Sequence, residues 1–174
     1  MTINPILKIF GNGCHVDDLA LWLDRQGRER DIVLLDADKD LQPKAFDAID
    51  DGRFNQNCVA DVVAHFKALQ EFLPGMRNGS RIVFIIPTTV LGGWDCADQA
   101  AMAAMLVGLS RSLALELAPR EITVNCIGAS AATQNVSIEA SLDYLVSANA
   151  NKVTGHLTLL DGGENLRMRY ARQR

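Results

Sequence analysis

No lysine occurs between Lys67 and Lys152, and the chain has only two tyrosines, Tyr144 and Tyr170. The residues four places beyond them are Ala148 and Arg174. A phenol with an ammonium group one helical turn away, the usual way to make a tyrosine a proton donor near neutral pH, is therefore not encoded. The four cysteines, Cys14, Cys58, Cys96 and Cys126, are widely spaced and form no Cys-x-x-Cys pair, which excludes a zinc ribbon or a dithiol redox motif and leaves buried free thiols in a reducing cytoplasm as the expectation. His15, His65 and His156 are isolated, so no metal site is expected. A net charge of -4 supplies no basic field for nucleic acid, and the short terminal run RMRYARQR reads as a solvated end. The N-terminus MTINPILKIF lacks the pattern of a secretory signal, and the run AAMAAMLVGL is far too short to span a membrane.

The rest is an ordinary globular composition, 48% hydrophobic and 22% charged over 174 residues, enough for one domain (1–174) with a sizeable core. Pro5 to Phe10 is a short apolar run ending at Gly11, which predicts a strand. Val16, Leu19, Ala20 and Leu23 have helical spacing up to Gly27. Ile32 to Leu35 and Ile82 to Ile86 are continuous apolar runs, as in strands buried on both faces. Between them Phe46 to Ile49 predicts a short helix, and Val59 to Met76 a longer one. Ala97 to Leu117 predicts the longest helix, stopped by Pro119. Ile122 to Ile127 reads as a strand, Ile138 to Ser147 as a helix and Leu157 to Leu160 as a last strand. Strands separated by helices predict an α/β fold with a parallel sheet covered on both faces.

The stretch Gly79 to Ala129, GSRIVFIIPTTVLGGWDCADQAAMAAMLVGLSRSLALELAPREITVNCIGA, resembles the second half of a short-chain dehydrogenase/reductase, and VTGHLTLLDGG (Val153 to Gly163) resembles that family's last strand and closing Asp-Gly-Gly. The segment PKAFDAIDDGRFNQNCVADV resembles the lead into the helix that bears the family's active-site Asn. The resemblance implies a reduced Rossmann-like doubly wound sheet and NAD(P) as the family cofactor. It also places the catalytic set. The Asn falls on Asp61, the Ser on Ile86 or Pro87, the Tyr on Gln99 and the Lys on Ala103, so every position of the set differs. An amide at Gln99 does not cycle a proton near neutral pH, and Ala103 carries no charge. Thr88 and Thr89 lie close by in sequence and are expected to be loop residues after a strand.

The cofactor end departs as well. The family opens on a glycine turn whose backbone amides hold a pyrophosphate. Here the turn reads FGNGCHVDD, in which Gly11 and Gly13 fit a Gly-x-Gly start, Val16 stands at the third glycine position, and Asp17 and Asp18 follow. Asp36, ending the next strand, is the candidate for a ribose-binding acid. A second registration, slightly favoured, has LDRQGRERDIVLL approach the family's fourth strand, with Asp36-Ala37 at its Asn-Asn-Ala-Gly turn and the first two strand–helix units missing. Only AATQNV stands where relatives carry a substrate lid.

The helix Ala97 to Leu117 is kept. Its small and apolar residues Ala100, Ala101, Ala104, Met105 and Gly108 predict an interface, because the resemblance implies a four-helix dimer contact at this place. Three functions compete. The first is a non-catalytic scaffold or regulatory subunit, paired with itself or with an active reductase-like subunit, and SRSLALELAP is closest to the 3-oxoacyl-carrier-protein reductases. The second is an enzyme of altered chemistry, in which Asp61, Thr88 and Gln99 line one pocket with Asp61 as general base. The third is a module that binds a nucleotide through Gly11, Gly13 and Asp36 without turning it over.

Overall fold

The computed structural model describes residues 7–11, 13, 15–25, 30–38 and 41–163. Cys14, Lys39, the start of the first predicted strand and the basic tail with Tyr170 lie outside the described residues.

A parallel sheet of five strands forms the centre: β1 (Leu7–Gly11), β2 (Ile32–Asp36), β3 (Arg81–Pro87), β4 (Thr123–Ala129) and β5 (Leu157–Leu159). Strand order across the sheet is the order along the chain. Every residue of β2, β3 and β4 is buried, as the unbroken apolar runs of β2 and β3 predict. β1 and β5 are the edges and are only partly covered.

Helices cover both faces. On one, α1 (Val16–Arg25) sets Leu19 and Leu23, and α5 (Asn135–Val146) sets Ile138, Leu142 and Leu145, against Leu34, Val83, Ile85 and Ile127. On the other, α3 (Ala60–Phe72) and α4 (Ala97–Glu116) set Ala68, Leu69, Met102, Ala103 and Leu106 against Val33, Leu35, Phe84 and Cys126. The alternation of strand side chains divides the two cores. Local chemistry fixes the helix ends. Asp17 and Asp18 begin α1 and Arg25 ends it, matching the helix dipole. Pro74 and Pro119 lie in the 3₁₀ turns that close α3 and α4.

One helical stretch differs from expectation at its start. The Asp50 side chain accepts from Arg53 N–H and caps the short α2 (Asp51–Phe54), and a π turn over Asn55–Val59 carries the chain into α3. The wider turn carries Cys58 into the core.

The faces taken by the helices set the hand of the crossovers. All crossovers step across the sheet in the same direction, so the face on which a helix lies sets its hand. The α1 and α5 crossovers therefore have the hand opposite to those of α3 and α4. Since such crossovers are right-handed in about 98% of cases, two of them are exceptions to the rule. With α1 on the opposite face from α3, the chain leaves the carboxyl ends of β1 and β2 toward opposite faces of the sheet, as beside the ligand crevice of a doubly wound sheet, although the strand order does not reverse. Gly11 pairs in register with Asp36 at that point.

Candidate functional site

Two places at the carboxyl edge of the sheet hold the predicted site residues. At the first, Pro87 closes β3, and Thr88 and Thr89 begin the 3₁₀ turn Thr88–Leu91. Gln99 lies in the first turn of α4 and Ala103 one turn later. Thr89 Oγ1 donates to Gln99 Oε1 over 3.2 Å. Ala103 and Ile86 are wholly buried in the core below. Asp98, beside Gln99, is 1% exposed and is drawn toward α2. It accepts from Arg53 Nε at 2.9 Å, Asn57 Nδ2 at 3.3 Å and the Gln99 amide at 3.0 Å. Burial alone would raise its carboxyl. The hydrogen bonds from Asn57, Arg53 and Gln99 outweigh burial and hold it below the usual carboxylate range.

Asp61 lies on α3 over the end of β1, in a hollow of about 390 Å³ lined by Ile9, Phe10, Gly11, Asp61, Ala64 and His65. Its backbone carbonyl meets His65 Nδ1 at 2.8 Å, and the His65 ring stacks edge-on to Phe10. Neither Thr88 nor Gln99 lines that hollow.

The second place is the crevice between β1 and β2. Gly11 takes φ +131°, and a Cβ there would lie 2.0 Å from the Asp36 carbonyl oxygen. A Cβ on Gly13 would lie 2.0 Å from Asp36 Oδ1. These glycines are required, as the Gly-x-Gly reading expects, but the group that presses on them is the chain's own carboxylate. Asp36 is fully buried and accepts from the His15 amide and the Asp38 amide, each at 3.1 Å. Burial pushes its carboxyl above the usual range, against the pull of these amides and of His15 and His65. Asp36, the candidate ribose-binding acid, turns its side chain inward onto Gly13 and the His15 amide.

His15, read from the sequence as isolated, is the centre of this place. It is 4% exposed. Its Nδ1 faces Asn135 Oδ1 at 2.9 Å, while its Nε2 faces the Ser130 carbonyl at 3.1 Å and Asp38 Oδ2 at 3.4 Å. Asn135 Nδ2 donates in turn to Asp18 Oδ2 at 2.6 Å, which fixes the amide's orientation. No sequence signal marks these contacts, because Ser130 and Asn135 lie more than a hundred residues from His15 along the chain. The residues present do not fit NAD(P): Asp36 takes the His15 amide and fills the space against Gly13, and the carboxylates of Asp17, Asp18, Asp36 and Asp38 are a poor setting for a diphosphate. Among the described residues no group of His, Cys, Asp or Glu is arranged to hold a metal ion, and no helix is long and apolar enough to cross a membrane.

The predicted interface is in part exposed. Ala104, Met105 and Gly108 of α4 face outward, and a Cβ on Gly108 would meet nothing within 4 Å. Ala101 packs against the core and Ala100 is half-buried, which moves both off the open face.

Comparison with known proteins places the fold. The family model described as Enoyl-(Acyl carrier protein) reductase matches residues 37–141. The human protein "Dehydrogenase/reductase SDR family member 2, mitochondrial" is 38% identical over 66 residues, 34% of this chain and 22% of that protein. A doubly substituted short-chain dehydrogenase/reductase of Serratia marcescens is 26% identical, with a TM-score of 0.67 over 76% of this chain and 64% of its own. A reductase described as catalysing keto-reduction at C1 during lugdunomycin biosynthesis shares the fold at 17% identity, with a TM-score of 0.67 over 88% of this chain and 70% of its own. The chain thus spans 22% of the length of the human relative and 64% of the Serratia structure.

Proposed function

We propose that this chain, which belongs to the short-chain dehydrogenase/reductase family, is a non-catalytic subunit that pairs through α3 and α4 with itself or with an active reductase-like partner. The observation that carries the reading is the turn of α4 from Gln99 to Ala103, which offers an amide and a buried methyl where the family places a phenol and an ammonium. The Thr89 hydroxyl is bonded to that amide.

The pairing surface is argued from exposure. Val59, ending the π turn, and Val63 and Phe66 on α3 follow helical spacing and are 41%, 43% and 44% exposed. On the neighbouring α4, Met105 is 41% and Leu115 79% exposed, with Gly108 between them. Apolar rows on two packed helices make a surface that water covers poorly. The match of residues 37–141 to an enoyl-(acyl carrier protein) reductase model supports a partner that works on acyl or polyketide thioesters. Buried Cys58, Cys96 and Cys126 carry free thiols, which suits a cytoplasmic site of action.

The test is light scattering coupled to size exclusion, on the chain alone and mixed with an active reductase from the same source. A dimer or a mixed complex that Met105→Glu breaks up, together with no NADPH oxidation by the chain alone on ketoacyl thioesters, is the expected result. A monomer under every mixture, or turnover by the chain alone, sinks the reading.

A further inference from the structure

We infer that the crevice between the carboxyl ends of β1 and β2 is shut by the chain's own side chains, His15 filling it and Asp36 serving as its internal anion, and that this protein holds no nicotinamide dinucleotide there. The inference goes beyond the pairing role, since a subunit without chemistry can still carry a bound dinucleotide.

A dinucleotide at a switch point needs backbone amides facing outward, room beside the glycine turn and a favourable potential. Among the described residues the His15 amide, the room and the potential are used internally. Asp36 accepts from the amides of His15 and Asp38 and fills the space against Gly13. The His15 imidazole crosses from the start of α1 to the Ser130 carbonyl after β4 and to Asn135 at the start of α5. It is nearly inaccessible to solvent, so the room is taken. The carboxylates of Asp17, Asp18, Asp36 and Asp38 then oppose any diphosphate.

The same contacts do what a bound ligand would do. They tie together α1, the turn after β2, the turn after β4 and the start of α5. Ser130 is held from its other side as well, its amide donating to Thr133 Oγ1 at 2.9 Å. An internal plug of this kind leaves the sheet end ordered without cofactor.

The test titrates the intact protein with NAD, NADP, NADH and NADPH by calorimetry and thermal unfolding, and follows amide hydrogen exchange without nucleotide. The expected result is no heat, no change in Tm, and slow exchange at the His15 and Asp38 amides. In His15→Ala the amides from Ser130 to Ser137 are expected to exchange at least about tenfold faster; where that variant does not fold, His15→Asn is read at the same amides. Saturable binding of any of the four nucleotides overturns the inference, and so does exchange that ignores the loss of His15. Nucleotide binding without turnover overturns it while leaving the pairing role intact. A monomer that ignores nucleotides does the reverse.

Discussion

Arg53 Nε donates to Asp98 Oδ2 over 2.9 Å, joining the short α2 to the first turn of the longest helix. The pair ties the chain before the π turn to the first turn of α4, beside Gln99, and Asp98 is its buried member. Arg53→Ala is expected to cost about 1–3 kcal/mol, the range for hydrogen bonds to a charged group left without its partner. Because the folded state holds the Asp98 carboxyl below its unfolded value, its contribution is present above the unfolded pKa of about 4 and is lost as pH falls through the lower folded one. Urea unfolding between about pH 3 and pH 6 checks both: Asp98→Asn should show a flatter acid limb than the wild type.

Ala103→Lys asks whether the lysine position of the family survives as a socket. Ala103 is wholly buried among Met102, Leu106 and the sheet. An ammonium placed there meets no carboxylate within the core cluster, and the longer side chain overfills it. A loss of more than about 2 kcal/mol is expected. Denaturant midpoints near those of the wild type, together with a normal spectrum, would show an open socket instead.

Gly108→Ala separates a bare helix face from a closely packed one. Nothing lies within 4 Å of the added methyl, and the substitution removes a helix-weakening glycine. The monomer should gain about 0.5–1 kcal/mol. If a partner's backbone seats on Gly108 in the assembled form, the same methyl should weaken association in the light-scattering experiment.

The Cys126 thiol should be inert in the folded protein. Burial pushes it up to about 11, and its Sγ donates to Ser110 Oγ at 3.2 Å. At about pH 8 the thiolate fraction is negligible, so alkylation should follow the rate of unfolding. Mass-spectrometric mapping that finds Cys126 modified quickly under native conditions would contradict the buried placement.

The central strands were legible because burial on both faces leaves one solution for Ile32 to Leu35 and for Ile82 to Ile86: unbroken apolar runs. The ends of α3 and α4 were legible through Pro74 and Pro119. The family resemblance added the order of elements, which periodicity alone does not give. What stayed hidden was set by contacts between distant parts of the chain. The π turn Asn55–Val59 breaks helical periodicity just where Cys58 enters the core. Asp36 has the residue type of a ribose ligand but turns inward, because the His15 and Asp38 amides draw it in. His15 itself sits in an unremarkable sequence, and only the meeting of α1 with α5 gives it partners.

The strand order has a consequence for how the molecule is made. Each strand of the sheet pairs with the strand that precedes it in the chain, from β1 to β5. In a doubly wound sheet with a reversal, the first strand must wait at the centre for one synthesised much later. Here no pairing waits. As the polypeptide leaves the ribosome, every new strand finds its template already in place, and the sheet grows outward in the direction of translation.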